Sequence, residues 1–237
     1  MRNRCRSAVL SLVLAFAVPA YGATIGTLDT FSGGTTAGWF AGGGPFGQVP
    51  PVPPQVIASG GPAGAGDAYL QVTAGGGGGP GSRLSAMNAS QWAGNYLTAG
   101  IGSIEMDLIN LGSTDLTIRL FFEDPIPGPP QNEAVSTQGV FLPAGGGWIH
   151  AIFDLNALTA VEGTVLGALS NTTILRIIHA SGVSEATPVA GVLGVDNILA
   201  VAGSIAIDEP ASGWLLAAAL VAFALQRARR IASAGRR

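Results

Sequence analysis

Two carboxylates, Glu105 and Asp107, stand two residues apart within the segment Ile104–Leu108. Paired carboxylates are what glycoside hydrolysis requires, one as the acid and the other as the base or nucleophile. Apolar residues alternate with these acids at the period of a β-strand, so both acids are expected on one outward face of a strand. Acids on such a face are far more often simply hydrated, and the spacing alone does not favour catalysis.

The histidines and the glycine runs offer little further chemistry. His150 and His179 are the only histidines, and each lies beside apolar residues in a predicted strand. Two histidines and an acid can share a metal ion, but no cysteine, Gly-x-Ser-x-Gly or His-Glu-x-x-His pattern lies near them. The glycine runs lack the Lys-Ser/Thr of a phosphate-binding loop. The sequence therefore predicts a protein without a catalytic site.

Aromatic residues beside polar ones are the better candidates for binding a ligand, because sugars stack on exposed rings. One probable loop combines such residues, and its candidate ligand-binding side chains are Trp92, Tyr96, Gln91 and Asn95. The alternative is that both rings fill the core, as most large aromatic side chains do. For Trp39 and Trp148 we expect the core position.

The elements that would position these side chains are short strands separated by Gly- and Pro-rich loops, such as Gly42–Gly66 and Asp124–Gln131. The nine predicted strands are Thr27–Phe31, Ala68–Val72, Arg83–Met87, Ile104–Leu108, Leu116–Phe122, Ala134–Leu142, Trp148–Leu155, Ile174–Ala180 and Val192–Ala200. Many short strands with little helix indicate an all-β, two-sheet antiparallel sandwich of the jelly-roll type.

Two local arrangements are more specific. Ile104–Leu108 and Leu116–Phe122 both alternate, and Asn110–Asp115 between them carries a glycine and a serine. This pattern predicts an antiparallel hairpin with one buried face. The segment Asn156–Leu169 places Leu158, Val161, Val165 and Leu169 on one stripe, which predicts the single short helix of the sandwich.

Three short motifs resemble the galactose-binding-like jelly rolls of carbohydrate-binding proteins. Asp29-Thr30-Phe31, followed by Gly38-Trp39, is similar to their opening, and Gly66-Asp67-Ala68-Tyr69-Leu70 is similar to their second strand. Gly194-Val195-Asp196-Asn197-Ile198 resembles their closing strand. The resemblance implies a two-sheet jelly roll, often with a structural Ca²⁺ near the chain ends and sometimes with a glycan site.

Calcium requires six to eight oxygen ligands, which mix carboxylates and backbone carbonyls. If the first and last strands pair, Asp29 and Asp196 could approach one ion, with Asp67 as a third ligand. The alternative is that Asp196 and Asn197 bond a strand end and that Asp29 is a hydrated edge residue.

The N-terminal residues 1–23 are predicted to be a signal peptide, which would form a signal helix. Three arginines precede the apolar run Val9–Val18, and Ala20, Gly22 and Ala23 are candidate cleavage positions. This order of charge, apolar run and small residues is typical of secretory signals, and the run is too short to span a bilayer. The only cysteine, Cys5, lies within this segment, so the body, residues 24–207, is predicted to contain no disulfide.

Residues 208–237 resemble the PEP-CTERM sorting signal that exosortases process in Gram-negative bacteria. The motif and the basic residues after the apolar stretch are Glu209, Pro210, Ala211, Ser212, Arg227, Arg229 and Arg230. Asp208 stands where that family has its first proline. The resemblance implies a transmembrane sorting helix, an inner-membrane intermediate, an exosortase-type partner, and release to the cell surface or extracellular matrix.

The net charge of the body limits the classes of partner that it is expected to bind. Residues 24–207 contain twelve carboxylates and three arginines, which gives a formal charge of −9, and the whole chain contains no lysine. Such a body is not expected to bind nucleic acid. Three functions remain: a non-catalytic surface or matrix protein that binds extracellular polysaccharide, a secreted hydrolase of that polysaccharide, or a purely structural or adhesive component.

Overall fold

Alternating apolar and polar residues build most of the fold, which is seen in a computed structural model that describes residues 22–42, 51–124 and 130–203. In these ranges the strands are β1 (Leu28–Asp29), β2 (Gln55–Ile57), β3 (Tyr69–Gly75), β4 (Ser85–Asn88), β5 (Ile101–Asn110), β6 (Leu116–Asp124), β7 (Asn132–Ser136), β8 (Val140–Leu142), β9 (Ile149–Asp154), β10 (Leu158–Glu162), β11 (Ile174–His179) and β12 (Ala190–Ala202). Two short helices, α1 (Tyr96–Ala99) and α2 (Val165–Ser170), and one 3₁₀ turn, Pro80–Ser82, complete the elements.

The strands form two antiparallel sheets, which confirms the predicted jelly-roll sandwich. Sheet A has the order β2-β3-β12-β5-β9, with β1 also paired to β12. Sheet B has the order β10-β7-β6-β11-β4, with β8 also paired to β6. The inner faces of the two sheets share one apolar core, to which β5 contributes Ile104, Met106 and Leu108.

The predicted hairpin between Ile104–Leu108 and Leu116–Phe122 is wrong, because β5 belongs to sheet A and β6 to sheet B. Alternation determines which side of each strand is buried, but two strands with apolar inner faces can pack across a sandwich as readily as they can pair. The Asn110 amide stabilises the crossing, since Nδ2 donates to Thr114 O at 2.9 Å and to Leu142 O at 3.0 Å.

The predicted helix over Asn156–Leu169 is wrong in its first half. Leu158–Glu162 forms β10 and pairs with β7, and α2 begins only at Val165. Gly163 separates the two elements with a φ of 60°, a conformation that glycine adopts at little cost. Thr164 then caps the helix, accepting from Gly167 N at 2.9 Å. The leucine and valine stripe was a coincidence of spacing across a strand, a turn and a helix.

The two ends of the described chain are attached to the sandwich. The first and last strands pair, with Asp29 opposite Ile198, and the N–H of Ala23 donates to Ala93 O at 2.7 Å. Ala23 is buried, so the folded body includes a residue that was assigned to the signal segment. Residues 1–21 of the predicted signal and the whole sorting tail lie outside the described residues. No helix among the described residues has the length and apolarity to cross a membrane.

The outer face of sheet B is partly covered by the chain itself. A second apolar cluster on this face joins Phe121, Val135 and Ile178 to Ala180 and Ala186 of the segment that follows β11. The segment from residue 180 to residue 186 therefore covers the part of this outer face around these three side chains, and we call the outer face of sheet B the closed face. The outer face of sheet A carries no such cluster among the described residues.

Candidate functional site

Trp92 and Tyr96 do not form the exposed platform that the sequence suggested. Both side chains are 0 % exposed and belong to the core. The indole Nε1 of Trp92 donates to Asp29 Oδ2 at 2.7 Å, and the Tyr96 hydroxyl donates to Trp92 O at 2.7 Å. Their polar atoms are satisfied inside the protein, which is how buried Trp and Tyr are usually accommodated. Neither ring can stack on a ligand in this conformation.

The polar neighbours of these rings have local structural roles. Gln91 donates from Nε2 to Asp29 and to the carbonyl of Ala37, which ties the loop to the first strand. Asn95 is the N-cap of α1, and its Oδ1 accepts from Thr98 N at 2.9 Å. This is the ordinary chemistry of a helix start. The polar residues that suggested a binding loop instead stabilise the fold.

The three predicted calcium ligands are not brought together. Asp29 faces the core, where Oδ2 accepts from the indole Nε1 of Trp39 and of Trp92, each at 2.7 Å. Asp196 lies on the opposite side of sheet A. The residue before it on β12, Val195, points into the core, as does Ile198, so the Asp196 side chain points away from the core. The residues therefore do not fit an ion shared by Asp29 and Asp196. Calcium held without Asp29 stays a prediction.

Asp196 is chemically unusual. The residue is 0 % exposed, and neither carboxylate oxygen accepts a hydrogen bond. Burial raises its pKa to about 6, and the neighbouring carboxylates of Asp67 and Asp107 add to this effect. The backbone N–H of Asn197 lowers the pKa of Asp196, but it does not meet the geometry of a hydrogen bond to either carboxylate oxygen. A buried carboxylate without a donor is costly and indicates uncompensated negative charge.

Another acidic group lies on the closed face. Ligand atoms of Glu123, Glu133 and Glu185 lie within 4.8 Å of one another, the only such set of three among the described residues. The guanidinium of Arg176 already bonds Glu123 and Glu185, the latter at 3.0 Å. A cation therefore occupies this cluster as part of the protein, and we do not interpret it as a metal site.

The residues best suited to contact a ligand lie on the outer face of sheet A. We call this surface the open face and define it by Tyr69, Gln71, Glu105, Asp107, Trp148 and His150. These side chains point outward, because their neighbours in sequence, such as Leu70, Met106 and Ala151, point into the core. Strand order places β3, β12, β5 and β9 side by side beneath it.

The imidazole of His150 bridges the carboxylates of Glu105 and Asp107. His150 lies opposite Asp107 across β5 and β9, with Nδ1 3.0 Å from Asp107 Oδ1 and Nε2 3.2 Å from Glu105 Oε2. The hydrogen bond with Asp107 is the main cause of a raised pKa of His150; burial opposes the rise, and the hydrogen bond with Glu105 and the charges of both carboxylates add to it. Asn197 donates to Asp107 Oδ2 at 2.8 Å. The result is a polar cluster whose geometry is held from three strands.

An aromatic pair lies on the same face. The rings of Tyr69 and Trp148 meet edge to face with centroids 5.4 Å apart, and Trp148 Nε1 donates to Gly60 O at 3.0 Å. Gly194 lies beneath, where a Cβ would come within 2.6 Å of Ile109 and 3.1 Å of Trp148. Trp148 is only half-buried, so the expectation of a core position was wrong.

Alternation in the sequence indicates part of this face. His150 and Ile152 alternate with Ala151 and Phe153, which marks one outward row on β9, and Trp148 directly before the strand continues the same period. The same alternation on β5 correctly placed Glu105 and Asp107 outward. What the sequence did not reveal was that β9 pairs with β5, which brings the two rows together.

No protein-family model matches the chain, and no curated protein matches it. Solved structures do share its fold. The solution structure of CtCBM11 has a TM-score of 0.50 at 16% identity and aligns over 76% of this chain and 96% of its own. The family 11 carbohydrate-binding module from Clostridium thermocellum, in complex with a β-1,3-1,4-mixed-linked tetrasaccharide, has a TM-score of 0.51 at 13% identity, over 78% and 100% respectively. At such identities the likeness shows the fold alone.

Proposed function

We propose that this chain is an exported, non-catalytic protein that binds extracellular polysaccharide on the open face of sheet A. The observation that carries the proposal is the half-buried Trp148 ring beside the hydrogen-bonding cluster of His150, Glu105 and Asp107. An accessible indole can stack on the apolar face of a sugar ring, and adjacent carboxylates can accept hydrogen bonds from its hydroxyls.

The rigidity of the face supports the proposal. Trp148 is fixed by its contact with Tyr69 and by its hydrogen bond to Gly60, and the glycine at position 194 lets the indole lie close to the sheet. A preorganised ring loses little conformational entropy when a ligand binds. The solved module with a bound tetrasaccharide shows that a jelly roll of this kind can hold a glycan in another protein.

The same arrangement argues for binding without cleavage. Glu105 and Asp107 both hydrogen-bond one imidazole, so neither is a carboxyl group set apart in an apolar environment, as a general acid of a glycosidase is. We expect no release of reducing sugar when the purified chain is incubated with a polysaccharide that it binds. Release that disappears in a Glu105→Gln variant would assign a hydrolase instead.

Export and sorting complete the proposal and rest on the sequence. The predicted signal segment and the tail with Glu209, Pro210 and the arginines imply passage through an inner-membrane intermediate to the cell surface or matrix. We expect the exported protein to lose both terminal segments, which its intact mass would report. In a Pro210→Ala variant we expect the tail to be retained. An exported protein with an unshortened mass would contradict the sorting proposal.

Binding is tested by sedimentation with insoluble polysaccharides, using the purified full chain. We expect Trp148→Ala to lose most of the bound fraction, because stacking on one aromatic ring contributes about 1 kcal/mol or more. Phe141→Ala is the matched control, since Phe141 is an aromatic residue of β8 in sheet B that is 59 % exposed. Equal binding by both variants, with unchanged melting temperatures, would refute the assignment to the open face.

A further inference from the structure

The charge of the open face points to a particular class of glycan. Glu105 and Asp107 lie on the face itself, and Asp154 continues the outward row of β9. Asp67 and Asp196 are close enough to each other for their charges to interact, as are Asp196 and Asp107. The only group of positive character that faces this set within the described residues is His150, because the chain has no lysine and its arginines in these ranges lie elsewhere.

The arginines are committed to other parts of the fold. Arg119 donates to the carbonyls of Ala180 and Ser136, and Arg176 pairs with glutamates, so both serve the closed face. Arg83 lies in an isolated bridge with Pro188, beside the same covering segment. Among the described residues, His150 is therefore the only basic side chain that offsets the negative charge of the open face.

Asp196 is independent evidence that this charge lacks a counter-charge. Its side chain is 0 % exposed, and both oxygens are without a donor, although they lie near Asp67 and Asp107. Proteins usually pair or hydrogen-bond a buried charge, because an uncompensated one is costly. A ligand that brings positive charge to the neighbouring Asp107 would lower the negative potential on Asp196 as well.

We infer that the polysaccharide bound by the open face carries primary amines as ammonium groups, an inference that rests on the proposed function. Trp148 directly precedes β9, and His150 is the second residue of that strand, so their attachment points are expected to differ by about 7 Å. We expect a sugar ring stacked on the indole to extend toward His150, whose imidazole contacts the Asp107 and Glu105 carboxylates. An ammonium group there gains charge-assisted hydrogen bonds and also favours the indole face. Acidic polysaccharides are repelled by the same carboxylates.

Chitin and chitosan are suitable probes, because they share one backbone and differ mainly in whether the amine is acetylated. We expect the full chain to bind particulate chitosan about tenfold more strongly than chitin at low salt, allowing about threefold for each of the two accessible carboxylates. The preference is expected to shrink in high salt, since counter-ions screen exposed charges. Alginate, a polymer of uronic acids, is expected not to compete.

The double variant Glu105→Gln/Asp107→Asn is expected to bind chitosan no better than chitin. The double variant Asp115→Asn/Glu162→Gln removes the same charge from exposed positions outside the open face and is expected to keep the preference. Trp148→Ala is expected to lose binding to both polymers. Retention of the chitosan preference in the first double variant, or its loss in the control, would show general attraction to an acidic protein and overturn the inference.

The remaining outcomes separate this inference from the proposed function. Trp148-dependent binding of chitin or mixed-linkage β-glucan that equals or exceeds binding of chitosan would leave the glycan-binding proposal standing and overturn the ammonium preference. Competition by alginate would likewise overturn the ammonium preference and leave the glycan-binding proposal standing. No binding to any of these polymers would refute the proposed function and the inference with it.

Discussion

The two outer faces of this sandwich differ in the basic side chains that pair with their carboxylates. On the closed face, Arg176 lies 5.0 Å above the ring centroid of Phe121 and pairs with Glu123 and Glu185, beneath the segment that follows β11. On the open face, Glu105 and Asp107 share a single imidazole, and Ile152 is 60 % exposed. Both faces are acidic, but among the described residues the arginines lie on the closed face and the open face has only His150.

Carboxylates therefore have two different roles in this protein: on the closed face they stabilise the fold, and on the open face we propose that they contact a ligand. Where protein covers a sheet face, a carboxylate such as Glu123 has less access to water and is stabilised by an internal cation. A face left open to solvent can keep unbalanced charge at low cost, and that charge remains available to a ligand. The arginines of the body are few, and their position on one side of the sandwich is what makes the comparison informative.

The largest expected effect comes from removing the cation of the closed face. Arg176→Ala would leave Glu123 and Glu185 without their partner and strip the ring of Phe121 of its cover, so we expect a loss of about 3 kcal/mol in the free energy of unfolding. Urea unfolding measures it. Glu105→Gln on the open face is the matched change and is expected to alter stability by less than about 0.5 kcal/mol. Similar losses in both variants would remove the distinction between the faces.

A second comparison concerns two buried aspartates. Asp29 accepts hydrogen bonds from two indoles and from Gln91, whereas Asp196 accepts none. Asp29→Ala would leave those donors unsatisfied, and we expect a loss of about 2 kcal/mol. Asp196→Ala removes an uncompensated charge and is expected to be neutral or stabilising at neutral pH.

The same measurement tests the role of calcium at Asp29. Because its partners are indole and amide N–H groups, the loss caused by Asp29→Ala is expected to be equal in Ca²⁺ and in EDTA. A loss that appears only in Ca²⁺ would show that Asp29 binds the ion. A destabilising Asp196→Ala that is sensitive to EDTA would instead support calcium at Asp196.

The sequence predicted the faces of the strands better than their neighbours. Alternation placed Met106 and Leu108 in the core and Glu105 and Asp107 outside, as observed. It could not show that β5 pairs with β9 rather than with β6, because strand pairing depends on which inner faces fit together across the whole core. The jelly-roll class followed from many strands, whereas the site depended on one pairing.

Local composition also misled the assignment of aromatic residues. Trp92 has polar neighbours in sequence, but these cap a helix and bond a buried carboxylate, so the ring is internal. Trp148 follows a run of glycines and precedes an apolar strand, but it lies on the open face. Exposure of a tryptophan is decided by the direction of its strand position, which alternation indicates and neighbouring polarity does not.

A smaller effect is expected in the pH dependence of the free energy of unfolding, which the closed face contributes through Glu133. Glu133, near Arg176 on sheet B, has its pKa raised from 4.5 to about 7, first by burial and then by Glu185, Glu123 and Glu162, while Arg176 opposes the rise. Between these values the folded state binds more protons than the unfolded state, so the free energy of unfolding falls as pH increases. Above about pH 7 the full penalty is present.

Glu133→Gln keeps the neutral form at every pH. We therefore expect the variant to be more stable than the parent by about 1 kcal/mol near pH 8, a figure reduced for solvent screening, and to have a flatter stability profile from about pH 4.5 to pH 7. Urea unfolding across this range provides the test. Asp115→Asn, which removes one carboxylate from an exposed position before β6, is the control and is expected to keep the slope of the parent. If the Glu133 variant keeps the slope of the parent, the closed face balances its charge more completely than its geometry indicates, and the contrast with the open face becomes stronger.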